Sequence, residues 1–278
     1  TWKSVRVLFY GGIANKTDGT LWAWGKSDSG LLGLNGPVNT RQSSPTQVGT
    51  DTTWSICNKS EHAGAIKTDG TLWVWGTNKR GCLGQNNQGS HPTYLTAQSS
   101  PVQVGTGTNW KYVDIGYNYT FATKTDGTFW SWGYNAQGQL GVSDTTSRSS
   151  PIQVPGTTWN KAYCIGGAFT GGGMATKTDG TLWAWGTNNN GRLGTNNEVG
   201  SSSPKQVPGT TWSYIVRPGG LYSIGALKTD GTLWTWGNNT YGHLGQNNFT
   251  KYSSPTQIGT DTDWTVLTST GEDMFALK

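Results

Sequence analysis

Charge is what this sequence has least of. Asp, Glu, Lys and Arg make up only 13% of its 278 residues, and glutamate occurs only at Glu61, Glu198 and Glu272. A hydrolase site built on paired carboxylates would have to use aspartate. Histidine is as scarce: His62, His91 and His243 are the whole supply, and they fall at unrelated places, which speaks against an imidazole metal cluster. The three cysteines, Cys57, Cys82 and Cys164, match neither a disulfide framework nor zinc-ligand spacing. The net charge of +5 is spread along the chain without a basic run, so no nucleic-acid patch is indicated. No stretch is apolar enough to span a membrane, and none reads as a signal peptide. A nucleophile elbow, a phosphate loop and a metalloprotease helix are all missing. These gaps argue against an enzyme and imply no cofactor and no metal.

What is present is glycine, 42 residues, and tryptophan, 16 residues. Disordered chains are poor in aromatics, so this composition points to packed structure. It is also periodic. Lys-Thr-Asp-Gly-Thr begins at Lys16, Lys67, Lys124, Lys177 and Lys228. Each copy runs into an aromatic strand: Leu21 to Gly25, Leu72 to Gly76, Phe129 to Gly133, Leu182 to Gly186 and Leu233 to Gly237. A Gly-x-Leu-Gly loop follows, at Gly30 to Gly33, Gly81 to Gly84, Gly138 to Gly141, Gly191 to Gly194 and Gly242 to Gly245. Next comes Ser-Ser-Pro or a close variant, at Pro45, Pro101, Pro151, Pro204 and Pro255. A lone Trp then opens a short apolar strand, at Trp2, Trp54, Trp110, Trp159, Trp212 and Trp264.

Four short strands per unit follow from this pattern. Strand a starts at the lone Trp, b ends at the Lys, c holds Trp-x-Trp and d follows the Pro. The Asp-Gly link between b and c predicts a two-residue type I′ turn. The Pro is expected at the start of d, where a missing N–H is tolerated. Strand c is apolar on both faces, so every small sheet needs cover on both sides. Stacked propeller blades supply such cover. An Ala two residues before each strand-b Lys marks a crowded position, at Ala14, Ala65, Ala122, Ala175, Ala226 and Ala276. The Trp residues are expected in the core and the repeated Asp residues in turns.

The series of strand, Asp-Gly turn, Trp-Gly, Asn-rich loop, Gly-x-Leu-Gly and Ser-Pro resembles the regulator of chromosome condensation repeat family over essentially the whole chain. That resemblance implies an all-β chain, a β-propeller of four-stranded blades, used as a binding platform. The near-identical Trp-x-Trp repeats look most like bacteriophage and bacterial surface members. Residues 1–278 are expected to form a single propeller domain of about 5.5 repeats. Strands a and b occur six times but c and d five times. About six blades with one incomplete, part of a seven-bladed ring, or completion by another chain all remain open. The family often carries His three residues before the strand-b Ala, and here only His62 does.

Recognition is expected where the repeats differ, because loops on a rigid scaffold carry function. The a–b and c–d loops vary, which makes Tyr10, His62, His91, Tyr94, Tyr117, Tyr119, Phe169 and Tyr222 the candidate binding residues. Exposed Tyr beside Asn and Gly suits a protein or a surface glycan. The expected role is a non-enzymatic structural or adhesion module, a phage virion (tail or fibre) or bacterial surface component with other virion or surface subunits as partners. The alternative is a soluble protein-binding inhibitor or scaffold. The corresponding location is extracellular or on the virion surface.

Overall fold

A computed structural model of the chain describes residues 1–8, 11–87, 97–167, 170–216, 223–270 and 273–278. The chain divides into two compact units, residues 1–135 with 146–157, and residues 136–145 with 158–278. In the first unit, β1 (Trp2–Leu8), β2 (Gly11–Lys16), β3 (Leu21–Ser27) and β4 (Thr40–Gln47) form an antiparallel sheet in chain order. A second sheet holds β5 (Trp54–Lys59), β6 (His62–Lys67), β7 (Leu72–Gly76) and β8 (Gln98–Gln103). The third holds β9 (Trp110–Ile115), β10 (Tyr119–Lys124), β11 (Phe129–Gly133) and β12 (Arg148–Val154). In the second unit, β13 (Trp159–Ile165), β14 (Gly172–Lys177), β15 (Leu182–Gly186) and β16 (Ser201–Val207) form one sheet. Another is made by β17 (Trp212–Val216), β18 (Ser223–Lys228), β19 (Leu233–Gly237) and β20 (Tyr252–Gln257). The last pairs only β21 (Val266–Thr270) with β22 (Asp273–Leu277). Among the described residues, five four-stranded sheets and one two-stranded sheet thus reproduce the count of a–d strands in the sequence.

The Lys-Thr-Asp-Gly-Thr-Leu-Trp string folds as one hydrogen-bonded device. Asp18 Oδ1 accepts from the Thr20 amide at 3.0 Å and from its hydroxyl at 2.6 Å, and Thr20 Oγ1 accepts from the Trp22 indole at 2.8 Å. Asp69, Asp126, Asp179 and Asp230 do the same in their own sheets. These bonds, the hydroxyl first, hold every one of these carboxyls below the ordinary Asp range. The turn itself differs from the expected type I′. Gly19 has φ +80° but Asp18 does not share a positive φ, and the Lys16 amide donates to Thr20 O at 3.0 Å. The loop therefore has three residues, a type I turn closed by a left-handed Gly. The Asp cap on the Thr amide favours this longer form, because it satisfies the donor next to the turn.

The position of proline differs too. Each d strand begins several residues before its Pro, as β8 does from Gln98 to Pro101. Register jumps there: Val74 pairs with Val102, but Gly76 pairs with Gln98, leaving Ser99, Ser100 and Pro101 opposite Trp75 alone. The same bulge recurs in the other four complete sheets. Strand d is the edge of its sheet, where a bulge and a missing N–H are both tolerated.

Gly-x-Leu-Gly locks one sheet onto the next. In the first unit, Trp75 Nε1 donates to Leu31 O at 3.1 Å and Trp132 Nε1 donates to Cys82 O at 2.9 Å. In the second, Trp185 donates to Gln139 O and Trp236 to Arg192 O. The last Gly of each loop lies flat on that indole. A Cβ at Gly84 would come within 2.8 Å of Trp132 Nε1, and φ there is +68°. Only glycine fits both requirements. The first Gly abuts the bulge of the following sheet, with a Cβ at Gly81 falling 2.6 Å from Ser149 Cα. The clusters so formed mix residues of successive sheets, such as Ile66, Leu72, Leu83 and Val104 with Trp110, Val113 and Trp132. Ala65, Ala122, Ala175 and Ala226 are fully buried, each opposite the first Trp of strand c, so a methyl leaves room for an indole.

Candidate functional site

Pairing register sorts the loops of each sheet to two ends. The first residue of strand b pairs with the Gly that closes strand c: His62 with Gly76, Tyr119 with Gly133, Gly172 with Gly186 and Ser223 with Gly237. The a–b and c–d loops, which vary, therefore share one end of every complete sheet. The Asp-Gly turns occupy the other end with the d–a links, and Trp110 N donates to Gly70 O there at 3.0 Å. That end is nearly invariant. Lys67 Nζ stands 4.0 Å from the Trp73 ring centroid and 4.8 Å from Trp54, and Lys124, Lys177 and Lys228 sit over their own Trp pairs. Repetition of the same cation–π contact in each sheet marks it as structural.

The variable end separates the expected binding residues into three groups. Tyr10, His91, Tyr94, Phe169 and Tyr222 lie outside the described residues. Tyr117 is half-buried in the a–b loop ahead of β10. His62 and Tyr119 are corrected: each opens a strand rather than lying in a loop, and both are buried. His62 Nε2 is 2.6 Å from Thr120 Oγ1, which donates onward to Cys82 O at 2.9 Å. The Thr proton is thus spent on the carbonyl, so His62 donates through Nε2 and its Nδ1 is left bare, with no partner among the described residues. Burial pulls the His62 pKa down to about 3. A neutral, enclosed imidazole that ties β6 to β10 is a structural pin. Tyr119 packs on Phe121 at 5.3 Å between ring centroids, inside the same unit.

The Asn-rich c–d loops use their amides internally. Asn239 Nδ2 donates to Asn248 O at 2.8 Å and to Thr250 O at 3.0 Å, while its Oδ1 accepts from the Leu244 amide at 3.0 Å. Asn188 staples its loop through Asn197 O and the Leu193 amide in the same manner. The loops are therefore firm platforms, and in the second unit they display apolar side chains that the sequence reading passed over. Tyr241 is 76% exposed, Phe249 74% and Val199 73%. Tyr241 stacks edge-on against His243 at 5.5 Å. Glu198, in the loop after β15, meets Lys251, in the loop after β19, at 2.6 Å, which joins the two loops across neighbouring sheets. Large apolar groups on a braced polar loop are the mark of a contact surface. Their signal in the sequence was only a departure from polar residues at a repeated loop position, as at Tyr241 against Ser29, Arg80, Gln137 and Asn190.

No helix among the described residues is long and apolar enough to cross a membrane. Among those residues no group of His, Cys, Asp or Glu is placed to hold a metal ion.

Known proteins share both the sequence pattern and the fold. The Arabidopsis thaliana mitochondrial RCC1 domain-containing protein RUG3 is 29% identical over 264 residues, covering 90% of this chain and 56% of its own length. The ultraviolet-B receptor UVR8 of the same plant is 29% identical over 243 residues, covering 86% of this chain and 53% of its own. The chain spans about half the length of these curated relatives. Among solved structures, human WBSCR16 superposes with a TM-score of 0.77 at 21% identity, over 99% of this chain and 72% of that one. Prp20p from Saccharomyces cerevisiae, described with its binding to Gsp1p and histones, superposes with a TM-score of 0.77 at 19% identity, over 98% of this chain and 67% of that one. Such likenesses establish the β-propeller fold. The regulator of chromosome condensation (RCC1) repeat matches at residues 18–56, 69–123, 126–170, 179–216 and 230–273, so the chain belongs to that repeat family.

Proposed function

We propose that this chain is a non-enzymatic protein-binding propeller whose recognition surface is the variable end of its second unit. The exposed trio Tyr241, Phe249 and Val199 on stapled loops carries this reading. Rigid loops lose little entropy when they bind, and an aromatic ring buries much area at low cost. The Glu198–Lys251 pair supplies a charged rim beside an apolar centre. Relatives described by what they bind, such as Prp20p with Gsp1p and histones, support protein as the ligand class. A Tyr241→Ser, Phe249→Ser, Val199→Ser variant should lose a partner captured from the native source by the wild-type chain. Thr210→Ala, on the constant end, should keep it. Equal capture by all three proteins would overturn the reading.

Placement on a virion or bacterial surface, with a surface glycan or sister subunits as ligand, is the narrower form of this proposal. A low-charge exterior rich in Asn, Thr, Ser and Gly favours it. The relatives named above are eukaryotic and lend it no weight. Labelled antibody on intact particles or cells from the native source would decorate them if it holds, and would stay unbound if the chain is a free scaffold or inhibitor.

A further inference from the structure

At the variable end of the first unit, one a–b turn departs from the repeat in a way the fold does not require. Lys59 pairs with Ala63, and the Ser60 amide donates to His62 O at 2.8 Å, so Ser60, Glu61 and His62 alone make the turn. The pairs matching Glu61-His62 in the other complete sheets are Tyr10-Gly11, Asn118-Tyr119, Gly171-Gly172 and Tyr222-Ser223. Glu61 is thus a carboxylate at a position where no other complete sheet has one.

The tip of a short hairpin ordinarily stands in water, yet Glu61 is half-buried. Loss of hydration raises its carboxyl above the ordinary Glu range, with Lys79 opposing and Asp28 adding to the rise. Lys26, which also acts on Glu61, is joined to Asp28 at 2.6 Å. Among the described residues no hydrogen bond or ion pair reaches the Glu61 oxygens. A carboxylate that has shed water without gaining donors is costly.

Two further acceptors at this end are also unfilled. His62 is fully buried with Nδ1 bare, and Asn118, in the turn before β10, has a buried Oδ1 with no partner. Contacts hold the three groups in one neighbourhood. His62 follows Glu61 directly, and its Nε2 is 2.6 Å from the hydroxyl of Thr120, two residues after Asn118. That hydroxyl donates to Cys82 O, and the Cys82 thiol, raised first by burial, is raised further by Glu61. The carboxylate is therefore within electrostatic reach of the same loop. Half-buried Leu31 flanks the imidazole: a Cβ at Gly76 would fall 3.1 Å from His62 Cα and 3.3 Å from Leu31 Cδ1.

Carboxylate, amide oxygen and unprotonated imidazole nitrogen all accept, so the missing group is a donor. A guanidinium carries five N–H donors in one plane and is more weakly hydrated than an ammonium, so it serves several acceptors at a half-buried site.

We propose that the Glu61 turn is a docking site for an arginine side chain of a partner protein. The guanidinium pairs with the Glu61 carboxylate and donates to Asn118 Oδ1 and His62 Nδ1, while its methylenes lie along Leu31. Entry turns the Glu61 side chain outward and leaves the His62 Nε2 contact with Thr120 in place. The Lys26–Asp28 pair forms a charged rim beside the site. This site shares no residue with the Tyr241, Phe249 and Val199 surface, so either can fail without the other.

The test is a titration of the 15N-labelled 278-residue chain with acetyl-Gly-Arg-Gly-amide, read by NMR at the imidazole nitrogens. The His62 signals are assigned by their loss in His62→Gln. A saturable upfield shift of the His62 Nδ1 resonance is expected. Peptides with lysine or citrulline in place of arginine should bind about tenfold more weakly, the worth of one charge-assisted hydrogen bond. Glu61→Gln should weaken binding by a similar factor with an unchanged melting curve. Asp51→Asn removes the same charge at the constant end and should bind as wild type. The absence of a saturable shift, equal binding of the citrulline or lysine peptide, or unchanged binding by Glu61→Gln would each overturn the proposal. So would binding that leaves the Nδ1 resonance in place, which would reduce Glu61 to a surface ion-pair partner.

Discussion

Two contacts made by the same sheet in the second unit show what completes a blade. Where β13–β16 meets β17–β20, Trp212 is 3% exposed, its edge facing Trp234 at 5.9 Å and Trp236 at 5.8 Å. Leu193, Val207 and Met174 close around this group. Where β17–β20 meets β21–β22, the buried set shrinks to Val216, Leu227, Leu233 and Leu267, and Trp264 is only half-buried at the same repeat position. The a and b strands are present in both places. The difference is strand c, whose second Trp binds the preceding loop and fills the gap between sheets. In repeat proteins much of the stability resides in such neighbour contacts, so a unit lacking one face is weaker than its sequence suggests.

The sharpest way to break the comparison is to delete the same Trp on both sides of it. Trp212→Ala should cost about 3–5 kcal/mol, the usual range for emptying a buried aromatic site, whereas Trp264→Ala should cost roughly a third of that. Urea unfolding followed by tryptophan fluorescence measures both, and equal losses would erase the distinction. Acid attacks a complete contact by another route. His62 holds its pKa near 3 when folded, below its ordinary value of 6.5, so the unfolded chain takes up a proton that the folded chain refuses. Stability contributed by the neutral imidazole is present above pH 6.5 and falls as pH drops toward 3. That loss should be on the order of 2–3 kcal/mol by pH 4.5, and His62→Gln should flatten it in melting curves taken across that range. A gentler probe is the lock glycine. Gly194→Ala and Gly245→Ala share a left-handed backbone, worth about 1–2 kcal/mol of strain. Only Gly194→Ala drives a methyl to 2.7 Å from Trp236 Nε1, so it should lose a further ~1–3 kcal/mol by differential scanning calorimetry. Smallest of all is Tyr241→Ser with Phe249→Ser. Exposed on their loops, these changes should move stability by less than about 0.5 kcal/mol in urea titrations while lowering dye binding to exposed apolar surface.

The residues that were read correctly act within one repeat. Asp18, Thr20 and Trp22 are neighbours in the chain, so their spacing alone announces a capped turn and a following strand. The type of that turn is not legible in the sequence, because Asp-Gly suits both a two-residue and a three-residue loop, and the Thr20 amide decides between them. Proline was misplaced for a related reason. Pro45 suggests a strand boundary, yet the start of β4 at Thr40 depends on a bulge opposite Trp24, set by pairing with another strand. His62 and Tyr119 depart from the repeat consensus, which suggests loop residues, yet each opens a strand. Departure marks a difference and leaves its direction open: His62 turned inward to Thr120, while Tyr241 turned outward to solvent.

The sequence by itself determined the four-strand unit, its number and its all-β character, since strand periodicity and turn chemistry are short-range and were written five times over. Tertiary structure alone decided what Gly-x-Leu-Gly is for. Its carbonyl acceptor, its bare glycine surface and the indole that fills it lie about 45 residues apart, on different sheets, as with Arg192 and Trp236. Burial likewise depends on which sheet packs outside a given residue. One Trp motif is therefore sealed at Trp212 and half-open at Trp264, though the two are written alike.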